Sequence, residues 1–250
     1  MDVKTMNKAI PVLAIAVLTA TTLQAQETQR GVKLGIKASP NIAWIHSDTK
    51  ELKSDGVRLG FSFGLLTDFR LGNNNYALST GLLLNITGGN QRSDQFDFDQ
   101  DISGITVRRS VEAMTFKRKL QFVELPVLIK LRTNEIGYMT YFGQLGFGSA
   151  YNINAKGDRY TMDSITGEMS RESDANISDQ TAIFRASLIV GAGAEYNIAG
   201  NTSILFGVNY NHGFTDAFNS KGKLFEVEGN NKVETHGKLS FVELALGVYF

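Results

Sequence analysis

The sequence predicts an all-β protein, an eight-stranded antiparallel up-and-down transmembrane β-barrel with an N-terminal signal peptide. Three observations carry this expectation. Large apolar side chains alternate with Gly, polar and charged ones at period two in eight segments, which is strand patterning. The connections between those segments are alternately short and long. The apolar phase is almost free of charge over about ten residues per segment, the length a tilted strand needs to cross a bilayer.

Composition narrows the field further. The 250 residues include 25 Lys+Arg, 25 Asp+Glu, 25 Gly, 3 Pro and no Cys. Zero net charge and the lack of a basic block exclude a nucleic-acid partner read by phosphate electrostatics. The absence of Cys removes disulfides, thiol catalysis, Cys-based zinc sites and an acylated lipoprotein anchor. The histidines are His46, His212 and His236.

The first element is an address. Lys4 and Lys8 precede the apolar run Ala9–Ala20, which is too short to span as a helix. Leu23-Gln24-Ala25-Gln26 follows, so residues 1–25 read as a secretory signal cleaved after Ala25. Leu23 is larger than the residue usually preferred at that site. A buried N-terminal helix is the competing reading. The remaining residues 26–250 form the barrel domain and carry 23 basic and 24 acidic residues, once Lys4, Lys8 and Asp2 are set aside.

The eight segments follow in order. Val32, Leu34, Ile36 and Ala38 alternate with Lys33, Gly35, Lys37 and Ser39. Val57 to Leu65 repeats the pattern with Arg58, Gly60, Ser62 and Gly64, and Leu78 to Ile86 with Ser79, Gly81 and Asn85. Val123 to Leu131 interleaves with Glu124, Pro126 and Lys130. The fifth segment, Tyr141 to Phe147, is the least regular. Phe184 to Tyr196 opposes Arg185, Ser187 and Glu195; Ile204 to Tyr210 opposes Gly207 and Asn209; Val242 to Phe250 opposes Glu243 and Gly247.

Short connections at 72–75, 133–137 and 199–201 are rich in Asn and Gly, residues that accept the positive φ of tight hairpins. Long polar connections at about 46–56, 88–118, 152–181 and 212–237 all leave from the opposite rim. Short turns at one rim and long loops at the other are the layout of an outer-membrane barrel. Alternation persists through Ile105, Val107, Arg109 and Val111, so the third, fourth and eighth strands are expected to project beyond the membrane as hairpins.

A soluble barrel with its apolar face inward is the alternative. The membrane reading is favoured by the uncharged apolar phase and by isolated charges flanked by Gly on the other phase, which suit a narrow lumen. It is also favoured by aromatics at both strand ends: Phe69, Tyr76, Tyr196 and Phe250 at one rim, Trp44, Tyr151 and Tyr210 at the other. A final Phe250 within the last strand fits the same picture.

Four blocks give a family resemblance. They are Gly31-Val-Lys-Leu-Gly-Ile-Lys-Ala-Ser-Pro-Asn41, Phe122-Val-Glu-Leu-Pro-Val-Leu-Ile-Lys130, Gly191-Ala-Gly-Ala-Glu-Tyr196 and Leu239-Ser-Phe-Val-Glu-Leu-Ala-Leu-Gly-Val-Tyr-Phe250. Together they resemble the PorT-like outer-membrane β-barrel family over nearly all of residues 31–250. The block at Glu124–Lys130 is moderately specific, whereas a terminal aromatic is common to most such barrels. The resemblance implies a Gram-negative outer-membrane location, contact with outer-membrane lipid, and insertion by the barrel-assembly machinery with Phe250 as the insertion signal. It implies no single activity; one member is linked to a protein secretion system.

Chemistry could sit in three places. By parity the lumen holds Lys33, Lys37, Arg58, Lys130 and Arg185 against Glu124, Glu195 and Glu243. This is read as a structural charge network, because buried charges need partners; a proton or ion path is the sharper alternative. Closure of the eighth strand on the first is expected to bring Lys37 beside Glu243, with Glu124 as a further member. The second place is the loop rim, where His212 with Ser220 or Asp216, or His46 with Asp48, could be cast as a hydrolase pair. No nucleophile motif accompanies them, and no short-spaced pair suggests zinc. The third is Asp94-Gln-Phe-Asp-Phe-Asp-Gln-Asp101, whose carboxylates could hold Ca²⁺ but read as a solvated hairpin tip. Gly191-Ala-Gly193 lies in a strand and is not a phosphate loop.

The functional expectation is a non-enzymatic structural or interaction module without a cofactor, working through long external loops and an unidentified protein partner. An eight-stranded barrel is filled by its own side chains. A narrow channel or porin-like transporter is the runner-up, and a rim hydrolase the third reading.

Overall fold

A computed structural model describes residues 31–48, 52–72, 75–102, 104–163, 166–219, 226–227 and 236–250. The expected signal at 1–25 lies outside the described residues. The strands are β1 (Val32–Ser47), β2 (Leu52–Ser54), β3 (Arg58–Arg70), β4 (Tyr76–Ser93), β5 (Phe96–Ile102), β6 (Ile105–Val111), β7 (Met114–Arg132), β8 (Met139–Met162), β9 (Met169–Asn176), β10 (Phe184–Ala199), β11 (Thr202–Asp216), β12 (Glu226–Val227) and β13 (Gly237–Tyr249).

Eight of them close an antiparallel barrel in the order β10-β11-β13-β1-β3-β4-β7-β8, and β8 pairs back to β10. Closure removes the unpaired edges that would be costly in lipid. The chain-terminal strands meet with Ile36 opposite Val248 and Ile42 opposite Val242. Along β1 the odd-numbered residues from Lys33 to Ile45 are buried, and the even-numbered ones are exposed from Val32 to Ile42. The outward phase carries Leu34, Ile36, Phe61, Leu65, Leu82, Val127, Ile129, Leu145, Phe147, Val208 and Leu244, all exposed. This is the inverse of a soluble protein, in which large apolar groups are inside, and it matches a lipid-facing band.

Aromatic contacts mark the ends of that band. Trp44 stacks on Tyr210 at 6.2 Å near the loop rim, and Tyr138 lies 6.1 Å from Tyr196 near the short-turn rim. The short turns use Gly72, Gly137 and Gly200, all at positive φ, as their Gly and Asn content suggested.

Above the band the strands continue. β5 and β6 form a two-stranded hairpin, β4 reaches Ser93 and β7 starts at Met114, so the projecting hairpin between the third and fourth barrel strands is present. The expected loop at 152–181 is corrected: β8 runs 24 residues to Met162, and β9 pairs with its upper part. The sequence hid this because both faces are polar once a strand leaves lipid, so alternation fades. A register shift between Gln121 and Phe122 of β7, opposite β8, also reverses the phase that a simple count would carry forward.

Candidate functional site

The lumen is built in layers. At its short-turn end Glu195 of β10 accepts from Lys33 of β1 at 3.2 Å, Lys130 of β7 at 2.8 Å and Arg132 at 2.7 Å. Lys130 also reaches Asp68 of β3 at 2.8 Å and Tyr249 Oη of β13 at 3.3 Å. Asp68 in turn accepts from Ser79 Oγ at 2.5 Å and Tyr249 Oη at 3.2 Å. Lys130 is 1% exposed and Asp68 fully buried. The Lys130 ammonium also lies over the Phe142 and Tyr249 rings, 4.4 and 4.9 Å from their centroids. Five ionic groups from four strands are thus tied to one another, and each satisfies its neighbour's desolvated charge.

A ring of Leu66, Leu83, Phe142, Leu205 and Tyr249 surrounds this layer. Phe142 fits because Gly193 faces it: a Cβ there would stand 2.7 Å from Phe142 Cζ. At mid-height Lys37 Nζ bonds Glu243 Oε1, which also accepts from Asn209 Nδ2 at 2.8 Å. Across the lumen Glu124 accepts from Asn85 and, at 3.0 Å, from Asn211 Nδ2. Arg185 donates to Asn211 Oδ1 and to the Leu239 carbonyl at 3.0 Å. Asn211 therefore bridges Arg185 to Glu124 without a direct ion pair. A cavity of about 40 Å³ lies between the two charged layers, room for only a few waters.

The outer end is closed by apolar side chains. Ile45, Leu120, Phe122, Leu239 and Phe241 from the wall meet Ile177 and Phe218 from the connections above it. A 3-10 turn at Ser178–Gln180 positions Ile177. Ala182 N–H donates to the Ala217 carbonyl at 3.0 Å, and Thr181 bridges Phe218. Arg118 stacks on Phe218 at 4.3 Å and donates to Gln91 Oε1 at 3.0 Å. Two neighbouring connections, the one leading into β10 and the one leaving β11, thus form a lid over the lumen.

Of the residues named from sequence, Lys33, Lys37, Glu124, Lys130, Arg185, Glu195 and Glu243 face the lumen and are buried. Arg58 is a correction. It lines a cavity with the outward-facing Lys117, Lys119 and Lys156, outside the charge network. β3 is paired with β4 only from Phe61 onward and is held at Arg58 by β1 alone, so at this strand end phase does not fix where the long side chain goes. Asp68, Arg132 and Tyr249 belong to the network and were missed, although all three lie in the inward phase of their strands. Phe250 is exposed, and its N–H donates to the Leu34 carbonyl at 2.8 Å.

Of the loop-rim pairs expected from sequence, His46 does lie beside Asp48, whereas His212 is not beside Asp216. His212 Nδ1 lies 3.1 Å from both Tyr210 Oη and Ser240 Oγ. Asp216 instead contacts His236 at 3.1 Å. His46 sits 3.9 Å from Asp48. Ser220 lies outside the described residues. Ser240 is buried although in the outward phase, with Trp44 and His212 on the two flanking strands directly opposite it. Most of the acidic stretch forms β5, where Asp97 pairs with Arg108 at 3.3 Å; Asp94, just before it, pairs with Lys53. The Lys53 ammonium holds the Asp94 carboxyl below the usual carboxylate range. Among the described residues no group of three His, Cys, Asp or Glu is placed to hold a metal ion.

Residues 24–219 match the outer membrane protein beta-barrel domain. The chain belongs to that family. It is an outer-membrane β-barrel protein, with the apolar band in lipid and the charged phase inside. No curated protein matches its sequence. Among solved structures, Neisserial surface protein A is 15% identical and is similar over 88% of this chain and 98% of its own, with a TM-score of 0.44. OprG from Pseudomonas aeruginosa is 10% identical over 88% and 96%, with a TM-score of 0.43. Ail, the attachment invasion locus protein of Yersinia pestis, is 17% identical over 89% and 100%, with a TM-score of 0.34.

Proposed function

We propose that this outer-membrane barrel is a closed, non-enzymatic structural and interaction module that presents its external hairpins to a protein partner, in the service of secretion or envelope assembly. The observation that carries this reading is the lumen. Ion pairs cross it near the short-turn end, the Asn211–Glu124 hydrogen bond crosses it at mid-height, the cavity between is about 40 Å³, and Ile177 and Phe218 cover its outer end. A conducting path would need these pairs and the lid to part together, which costs several kcal/mol for each exposed or unpaired buried charge. The strands that outrun the lipid band, β4 to β9, supply the surface instead. The resemblance to the PorT-like family supports the link to secretion, and the family supports insertion by the barrel-assembly machinery through the strand that ends at Phe250.

The test joins conductance to partner capture. The refolded barrel in planar bilayers is expected to show no conductance steps. Thr106→Cys in β6, on a chain with no native Cys, is expected to cross-link to one defined outer-membrane protein in intact cells. Removing residues 96–111 is expected to reproduce the phenotype of the missing gene while the barrel still inserts. Regular single-channel steps abolished by a bulky residue in the lumen would establish the channel reading in its place.

A further inference from the structure

We infer that the outer face of β7 and β8, just above the lipid band, binds the phosphate of a lipid headgroup. The outward residues of β7 fall in order of height: Leu131, Ile129, Val127 and Leu125 in the band, then Val123, Gln121, Lys119 and Lys117. Gln121 meets Asn154 of β8 at 3.2 Å, the first polar pair outside the apolar band. Lys119 is four residues beyond Val123. At about 3.3 Å per residue and a tilt near 40°, that is about 10 Å along the membrane normal. A lysine side chain reaches back through part of this distance, and so its ammonium stands at headgroup depth.

The cations there are arranged for an anion, not for each other. Lys119 and Lys156 are direct cross-strand partners, and like charges directly opposite repel. On the other side of Lys119 stands Gly88 of β4, which leaves room for Arg58; a Cβ at Gly88 would lie 3.1 Å from Arg58 Cδ. Arg58, Lys117, Lys119, Lys156 and Arg171 line one cavity of about 290 Å³ with only Asp158 and Asp174 as carboxylates. Asp158 is already engaged by Arg171 at 2.9 Å and by the Lys117 N–H at 3.1 Å. Among the described residues, an excess of positive charge therefore faces the interface without an ion pair of its own. A phosphate has the charge and the several acceptor oxygens to bridge Lys119, Lys156 and Arg58 at once.

The proposal rests on the membrane location, not on the interaction role. The test uses the refolded full-length chain in phosphatidylcholine bilayers containing trace spin-labelled phosphatidic acid or spin-labelled phosphatidylcholine. The immobilised fraction of each label gives the selectivity. The wild type is expected to prefer phosphatidic acid, and Lys119→Gln with Lys156→Gln to reduce that preference by about fivefold for each charge removed. Lys53→Gln, a cation elsewhere on the external hairpins, should leave it unchanged. Because the removed pair repels, the double variant should keep or raise its urea midpoint in phosphatidylcholine alone, which separates lost binding from lost folding. An unchanged preference in a folded double variant would overturn the site. Loss of the preference on adding an equal concentration of inorganic phosphate would overturn the lipid as its source, leaving a free-phosphate site. Conductance and partner capture do not enter these readouts, so this inference and the proposed function fail separately.

Discussion

Replacing Glu243 by Ala removes the only ionic partner that Lys37 has among the described residues, and Lys37 is 7% exposed in the middle of the lumen. An uncompensated buried charge after loss of one partner costs about 3–5 kcal/mol, and that is the expected destabilisation. Lys37→Ala should cost less, about 1.5–3 kcal/mol, the worth of one charge-assisted hydrogen bond. The difference arises because Glu243 keeps the Asn209 amide at 2.8 Å. With both groups gone, neither charge is left unpaired. The double variant should therefore fall short of the summed single costs by about 2 kcal/mol, within the usual coupling range for contacting residues. Reversible urea unfolding in lipid vesicles, followed by far-UV circular dichroism, gives the four corners of the cycle. Glu112→Ala, at an exposed position beside β7, serves as a control expected to show no resolved change. Additive costs would refute the coupling of Lys37 to Glu243 and the conclusion that the lumen is held shut by specific pairs.

Three further outcomes are expected. Gly148→Val should destabilise the barrel by about 1–3 kcal/mol, because a Cβ at Gly148 overlaps Glu124 Oε1 and stands 2.7 Å from Ser187 Oγ; the same urea assay reads it, and a neutral result would mean that Glu124 has room to move. Trp44, the single tryptophan, stacks on Tyr210 at the loop rim, so its fluorescence should be quenched more by lipids brominated near the headgroup than by those brominated near the chain ends, and equal quenching would displace the rim. Asp94 is held below the usual carboxylate range first by its hydrogen bond to Lys53, so Lys53→Met should raise its pKa in carbon-detected NMR. The Lys53 contact then stabilises the β2–β4 junction above the ordinary aspartate pKa and fades as pH falls through the lowered one, and an unmoved titration would show that the contact does not form in solution.

Much of the fold is legible in the sequence because lipid and a narrow lumen impose opposite demands on alternate residues. Val32 to Ile42 declares strand, phase and membrane face at once, and the Gly and Asn turns declare which rim is which. That information is local. It fails where the environment stops differing between faces: the upper half of β8 and all of β9 are polar on both sides, so they read as loop. It also fails where the phase is interrupted, at the register shift beside Gln121, and at Arg58, where β3 is paired with β1 but not yet with β4.

The sequence by itself determined eight crossings, the direction most side chains in the band face, and therefore most of the charges that are inside. It did not determine who meets whom. Lys130 finds Asp68, Glu195 and Tyr249, from three other strands, because closure and strand tilt set their heights around the wall, and no one-dimensional spacing encodes that. The lid of Ile177 and Phe218, and the row of cations around Lys119 and Lys156, are likewise products of assembly. A charge in a lumen must be satisfied by whatever the closed barrel carries to its height, and only the tertiary structure decides what that is.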